Sequence, residues 1–165
     1  MRTLVRIVFA LLLLTFVACE PAGPTEDAGF VSIPPEGWAY GRVLEFVPEL
    51  ADSVGNARVA VAVRHNNDYP YSNLWLELTA PIPGTDSARV DTIDLDMADV
   101  YGHWYGTGAG MSYIVVDTLR SDYLYENGRA MKLRHIMRAD TVTDITQVGL
   151  IFMLSEADTN GYSKD

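Results

Sequence analysis

The sequence predicts an all-β fold, a single antiparallel β-sandwich of about seven strands. Three observations support this prediction. Apolar and polar side chains alternate through several short segments, and the connections between these segments are short and rich in Asn, Asp, Gly and Pro. Beyond the first 18 residues, no stretch of ten or more residues shows a capped helical period. Short strands joined by regular turns are typical of a sandwich.

The first 18 residues have the parts of a secretory signal peptide. Arg2 and Arg6 make the start positive, an apolar run over residues 7–14 follows, and small residues precede Cys19. The apolar run is too short to span a bilayer, because a membrane-crossing helix needs about 20 apolar residues. We therefore predict that residues 1–18 are cleaved from the mature protein.

Cys19 is the predicted lipid-attachment residue. The sequence Phe16-Val17-Ala18-Cys19 resembles the lipobox of bacterial lipoproteins, in which the cysteine is acylated and becomes the new N-terminus, although Phe16 stands where such motifs usually carry Leu. An ordinary secretory signal that happens to contain a cysteine is the alternative. The chain has no other cysteine, so no intramolecular disulfide can form. Several acyl chains on one residue would anchor the protein stably to a membrane.

The rest of the chain divides by composition into three parts. Residues 19–29 carry no large apolar side chain and predict a flexible tether behind the acylated cysteine. Residues 30–155 predict the sandwich domain, and residues 156–165 a polar tail. The formal net charge of the whole chain is −10, which argues against nucleic acid and anionic lipid headgroups as partners.

Seven segments predict strands. Residues 38–46 place Trp38, Tyr40, Leu44 and Phe46 on one face of an extended segment. Residues 58–64 and 74–79 alternate in the same way and predict half-buried strands. The remaining predicted strands are residues 89–97, 113–119, 129–139 and 147–154, with turns at 66–68, 81–86 and 126–128.

The block Asn66-Asn67-Asp68-Tyr69-Pro70-Tyr71-Ser72-Asn73-Leu74-Trp75-Leu76 resembles the signature of the gliding motility lipoprotein H family. Other blocks agree in order and spacing, so that the resemblance spans about residues 33–153. They are residues 33–38, 96–108, 135–138 and 144–150.

This resemblance implies a small lipoprotein of the cell envelope that takes part in gliding motility and in the associated protein secretion system. It implies no enzymatic activity and supplies no catalytic residues. The expected partners are other envelope proteins of this apparatus, and the acyl chains would hold the protein on a membrane. The residues after Cys19 favour a periplasm-facing position.

Two aromatic-rich loops, residues 65–73 and 99–110, are candidate interaction surfaces, because aromatic rings supply contact area and Asn supplies adaptable hydrogen bonds. The candidate residues are Tyr69, Tyr71, Asn73, Asp99, Tyr101, Trp104 and Tyr105. Each loop also has a structural interpretation, as a proline-fixed turn and as aromatic residues closing one end of the core. A carbohydrate-binding module that uses Trp104, Tyr101 and Tyr105 is the alternative function.

The sequence offers no catalytic, metal or cofactor site. Ser112 does not lie in a G-x-S-x-G elbow, and His65, His103 and His135 lack the spacing of metal ligands. Three aspartates at positions 94, 96 and 99 do not match a calcium-binding loop. His135 alternates with apolar residues on one face, which predicts a hydrogen-bonded histidine within the core.

Four basic residues of the late segment are predicted to form ion pairs across the sheet with three aspartates. The basic residues are Arg129, Lys132, Arg134 and Arg138, and the aspartates are Asp91, Asp94 and Asp96.

Overall fold

The computed structural model describes residues 23–119 and 122–155, and these residues form an all-β fold of twelve strands. The predicted signal peptide, Cys19 and the tail over residues 156–165 lie outside the described residues. Within the described part of the chain, no helix is long and apolar enough to cross a membrane. The strands are β1 (Glu26–Ser32), β2 (Trp38–Ala39), β3 (Leu44–Phe46), β4 (Val54–Asn66), β5 (Asn73–Pro81), β6 (Ala88–Asp96), β7 (Thr107–Ala109), β8 (Ser112–Thr118), β9 (Tyr123–Glu126), β10 (Met131–His135), β11 (Thr141–Val142) and β12 (Ile145–Leu154).

Two antiparallel sheets enclose one core. The larger sheet has the order β1-β12-β4-β8-β7, with β9 paired to the first residues of β4, and the smaller sheet has the order β3-β10-β5-β6. Strands β2 and β11 form a short separate pair. Inward-facing residues of both sheets belong to one buried cluster, for example Val61 from β4 and Leu76 from β5. The predicted all-β, antiparallel fold is therefore confirmed.

Strand β4 is the long central strand of the larger sheet. It pairs with β12 along one edge and with β8 and β9 along the other. Because neighbours flank it on both edges, the whole stretch Val59–Val63 is buried, including the small residues Ala60 and Ala62 on the face away from the core. The predicted half-buried strand is wrong for this stretch. The thirteen residues of β4 span about 40 Å at about 3.3 Å per residue.

The predicted flexible tether is wrong for its last residues. Glu26–Ser32 form strand β1, which pairs with β12 from Glu26 to Ser32. This strand lacks an apolar alternation because Gly29 leaves room for the ring of Phe46, and Phe30 lies across Gly149 of β12. The Phe46 ring from β3 thus fills the space that Gly29 leaves, and the Phe30 ring of β1 covers the space that Gly149 leaves in β12.

Two predicted strands are interrupted. A turn separates β2 from β3, closed by the N–H of Arg42 donating to the carbonyl of Ala39 at 2.9 Å, and Tyr40 is exposed rather than on the core face. The predicted strand over residues 129–139 is ordered as a strand only in β10, residues 131–135. The three predicted turns are observed, each closed by a backbone hydrogen bond.

Candidate interaction surface at one end of the sandwich

The two candidate loops lie at the same end of the sandwich, which we call the distal end. Strand β4 finishes there at Asn66, β5 begins there at Asn73, and the hairpin over residues 97–105 closes with the N–H of Tyr105 donating to the carbonyl of Met97 at 2.8 Å. The distal end is thus formed by the loops at residues 66–73, 97–105 and 109–112.

The described chain enters the sandwich at the opposite end, which we call the entry end. There the N–H of Leu154 donates to the carbonyl of Thr25 at 2.9 Å, and that of Ser155 to Asn56 at 3.1 Å, beside the start of β4. Because β4 runs from one end to the other, about 40 Å separates the entry end from the distal end.

Tyr69 is the structural anchor of the first loop. Its side chain is 3% exposed, and its hydroxyl donates to the backbone carbonyl of Asn73 at 2.9 Å. Burial raises the pKa of Tyr69 far above its usual value. Tyr71 remains exposed and packs edge-on against the Tyr69 ring at 5.7 Å, while Asn73 Nδ2 donates to Asp94 Oδ1 at 2.6 Å. The structural interpretation therefore fits Tyr69 and Asn73, and Tyr71 alone is left for contacts.

His65 lies at the centre of an aromatic cluster beneath the distal loops. The side chain is fully buried, with ring centroids 4.6 Å from Trp104, 5.7 Å from Tyr69 and 5.9 Å from Tyr113. Its Nδ1 lies 2.9 Å from the carbonyl of Asn66, which requires the proton on Nδ1, and Nε2 has no partner within the described structure. Burial lowers the pKa of His65, so the ring is held neutral.

Asp99 shapes the second loop. One carboxylate oxygen accepts hydrogen bonds from the N–H groups of Tyr101 and His103 at 2.8 and 2.9 Å, and the other lies 2.9 Å from His103 Nδ1. The N–H of Gly102 donates to the Asp99 carbonyl at 3.0 Å, which closes a β-turn. The bonds from His103, followed by that from Tyr101, lower the pKa of Asp99.

The aromatic residues of this loop separate into two groups. Trp104 is half-buried and packs against His65 and the core cluster, so one side of its ring is occupied by protein. Tyr101 is 84% exposed and Tyr105 is also exposed. Sequence reasoning missed Val100, which is 94% exposed; an apolar pair between Asp99 and a glycine was the available signal.

A surface groove of about 520 Å³ lies beside the first loop. It is lined by Tyr71, Trp75, Ile136, Met137 and Arg138. The groove continues the exposed apolar surface of the distal end onto the outer face of the smaller sheet. Among the residues that the structure describes, no group of three or more His, Cys, Asp or Glu side chains is placed to hold a metal ion.

His135 is buried, as predicted, but it is not satisfied. Its ring contacts the rings of Trp38 and Tyr40 edge-on at 5.4 and 5.6 Å, and neither ring nitrogen has a well-formed hydrogen bond in the described structure. Burial lowers the pKa of His135, against the smaller opposing effect of the backbone carbonyls of Trp38 and Ala39.

The predicted ion pairs of Arg129, Lys132, Arg134 and Arg138 with the aspartates of β6 are wrong, because none of them is observed among the described residues. Strand β10 lies between β3 and β5, so its side chains meet Glu45 and Glu77, whereas β6 is one strand further away. Arg134 makes two bonds to Glu77, at 2.7 and 3.0 Å. Other observed pairs include Lys132 with Glu45 at 3.2 Å, Arg129 with Glu126 at 3.2 Å and Arg89 with Asp91 at 2.6 Å.

Comparison with known proteins connects this sandwich to a family. Residues 28–151 match the family model described as GldH lipoprotein. The chain is 33% identical over 73 residues to the gliding motility lipoprotein GldH homolog of Christiangramia forsetii, a match that covers 44% of each chain. It is 32% identical over 71 residues to the gliding motility lipoprotein GldH of Flavobacterium johnsoniae, covering 43% of this chain and 44% of the relative. The matched segments thus span less than half of these relatives. Because the family model covers most of the chain and nearly all of the sandwich, this protein belongs to the GldH lipoprotein family.

Proposed function

We propose that this protein is a membrane-anchored envelope lipoprotein that takes part in gliding motility and in the associated secretion system through protein–protein contacts, without catalysing a reaction. The observation that supports this most is the family match over residues 28–151. The names of the two relatives, both gliding motility lipoproteins, agree with it.

The distal end supports a role in protein contacts. Tyr71, Tyr101 and Tyr105 are exposed on loops that backbone hydrogen bonds hold in place. Tyrosine is favoured at protein interfaces because its ring supplies apolar area and its hydroxyl a hydrogen bond, with few rotatable bonds to order.

The anchor would place the entry end against the lipid surface. Acylated Cys19 would be separated from Pro24 by four residues, and the Pro24 carbonyl accepts a hydrogen bond from the N–H of Ala51 at 2.8 Å. Five residue steps extend to at most about 18 Å. The sandwich would therefore lie close to the membrane, with its distal end about 40 Å further out, on the periplasmic side.

Deletion of the gene in a gliding source organism tests the proposal. We expect loss of surface spreading and impaired export by the associated system, with both restored by the wild-type gene. Normal spreading and normal export in the deletion strain would refute the proposed function.

The anchor is tested separately by Cys19→Ser. We expect this variant to leave the membrane fraction or to remain as an unprocessed precursor, with a mass that lacks the acyl groups. An unchanged mass and unchanged membrane fractionation would show that Cys19 is not the lipid-attachment residue.

A further inference from the structure

The tip of the loop at residues 99–103 exposes two large apolar side chains. Val100 is 94% exposed and Tyr101 is 84% exposed, and they occupy the two central positions of the β-turn that Gly102 closes on Asp99. Central turn positions normally carry Gly, Asn, Asp, Ser or Pro, which fit the turn and remain hydrated.

The turn does not need these two side chains. Asp99 supplies the side-chain hydrogen bonds at its first position, and Gly102, with a φ of 84°, supplies the left-handed conformation at its last. Val100 and Tyr101 bury little surface in this chain, so packing does not explain their residue types either. Two apolar side chains held in solvent by a rigid turn are a feature of recognition sites, because the bound shape is already formed.

We propose that Val100 and Tyr101 form the docking tip of this protein, which inserts into an apolar pocket on a different protein of the envelope. The inference rests on the proposed function and adds to it the residues that make contact. The docking tip lies at the distal end, about 40 Å from the entry end. The segment that leads to the anchor joins the sandwich at the entry end. The docking tip is thus directed at partners away from the protein's own membrane.

Charge favours a protein pocket over a lipid surface as the occupant. Loops that insert into bilayers usually combine apolar tips with Lys or Arg that bind anionic headgroups. Residues 90–119 contain no Lys or Arg, and the whole chain has a net charge of −10. The Asp99 carboxylate and the His103 ring lie beside the tip. The loop itself therefore offers no Lys or Arg to bind an anionic headgroup.

The test compares two double variants of the full-length, lipidated chain in a gliding strain that lacks the native gene. The first, the tip variant, combines Val100→Ser with Tyr101→Ser. The matched control combines Val90→Ser with Leu124→Ser. Val90 and Leu124 are also exposed apolar residues, 58% and 48% accessible, but they lie elsewhere on the sandwich. We expect the tip variant to keep its abundance, membrane fractionation and thermal midpoint but to lose at least tenfold in spreading. The control should spread normally. Val100→Arg, which adds a charge at the same exposed site, should reproduce the loss.

A photoreactive phenylalanine analogue at position 101 or at position 90 identifies the occupant in native envelopes. We expect position 101 to give one discrete adduct with a different protein, reduced at least tenfold by Val100→Ser, and position 90 not to give it. An adduct with a second copy of this chain, an adduct with lipid, or an adduct insensitive to Val100→Ser would overturn the inference. So would normal spreading of the tip variant. If the deletion strain itself spreads and exports normally, the proposed function fails instead.

Discussion

Mild acid should destabilise this protein, because two histidines are buried in neutral form. His65 and His135 are both fully inaccessible to solvent, and each has at least one ring nitrogen without a hydrogen-bond partner in the described structure. Protonation would place a positive charge among aromatic rings, and at His135 the charge of Arg134 would oppose it further. The folded protein therefore resists protonation, whereas the unfolded chain does not.

The sign and size of the effect follow from this difference. Burial lowers the pKa of both histidines in the folded state, and in the unfolded chain they titrate near 6.5. Below pH 6.5 the unfolded state binds more protons, so the free energy of unfolding falls as the pH falls. The slope approaches about 1.4 kcal/mol per pH unit for each histidine, or about 2.8 for both, until the pH reaches the folded-state pKa. Above about pH 7.5 the contribution is fully present.

Urea unfolding of the purified protein between pH 7.5 and pH 5, followed by circular dichroism, measures this slope. We expect His135→Leu to reduce the slope by about half, because one buried titrating group is gone. Met131→Leu is the matched control: it changes another buried side chain of β10 and removes no titrating group, so the slope should not change. A free energy of unfolding that stays constant between pH 7.5 and pH 5, or a slope unaffected by His135→Leu, would refute the reasoning.

Two further predictions concern packing and a buried hydrogen bond. Gly149→Ala would place a methyl group 2.5 Å from the ring of Phe30 and 2.9 Å from a backbone oxygen of β1. We therefore expect this variant to lose about 1–3 kcal/mol of unfolding free energy. Gly41→Ala is the control and should lose none, because the added methyl group would meet open space. Tyr69→Phe removes the hydroxyl bonded to the backbone at the start of β5 and should cost about 1–2 kcal/mol, whereas Tyr71→Phe should be neutral. Urea unfolding at pH 7.5 measures both pairs, and equal stabilities within either pair would contradict the corresponding prediction.

The long strands were predictable because one physical pattern determines them. In β5 the alternate residues Leu74, Leu76 and Leu78 are buried, since one face of the smaller sheet covers the core and the other meets solvent. Strand β12 was likewise predicted from its apolar residues. The turns were predictable because Asn, Asp and Gly favour them locally, whatever surrounds them.

The shorter strands depend on neighbours that the sequence does not reveal. Strand β1 is held by pairing to β12 and by the ring of Phe46 against Gly29, so its own residues carry no alternating pattern. Strand β9 has four residues, too few to establish a period. The predicted ion pairs were wrong for a related reason. Arg134 contacts Glu77 because β10 and β5 are adjacent, and the sequence does not reveal which strands are neighbours.

The candidate site was predicted as a set of residues but not as a division of roles. Sequence reasoning selected Tyr69, Trp104 and Tyr101 for one property, an aromatic ring in a loop. The degree of burial separates these three residues, because Tyr69 and Trp104 pack on His65 whereas Tyr101 is exposed. The sequence presents His65 only as a candidate metal ligand, but its ring fills the space beneath the loops. A residue's contribution to contacts can thus be assigned only after its contribution to packing is known.

This division makes the proposed contacts separable from stability by mutation. Trp104 and Tyr69 pack on His65, so truncating either ring would lower the thermal midpoint and would displace the distal loops at the same time. Val100 and Tyr101 have almost no packing to lose, and Asp99 maintains their turn. A loss of spreading at constant stability would therefore arise only from the exposed pair, whereas a loss that tracks the thermal midpoint would indicate that the distal end serves folding alone.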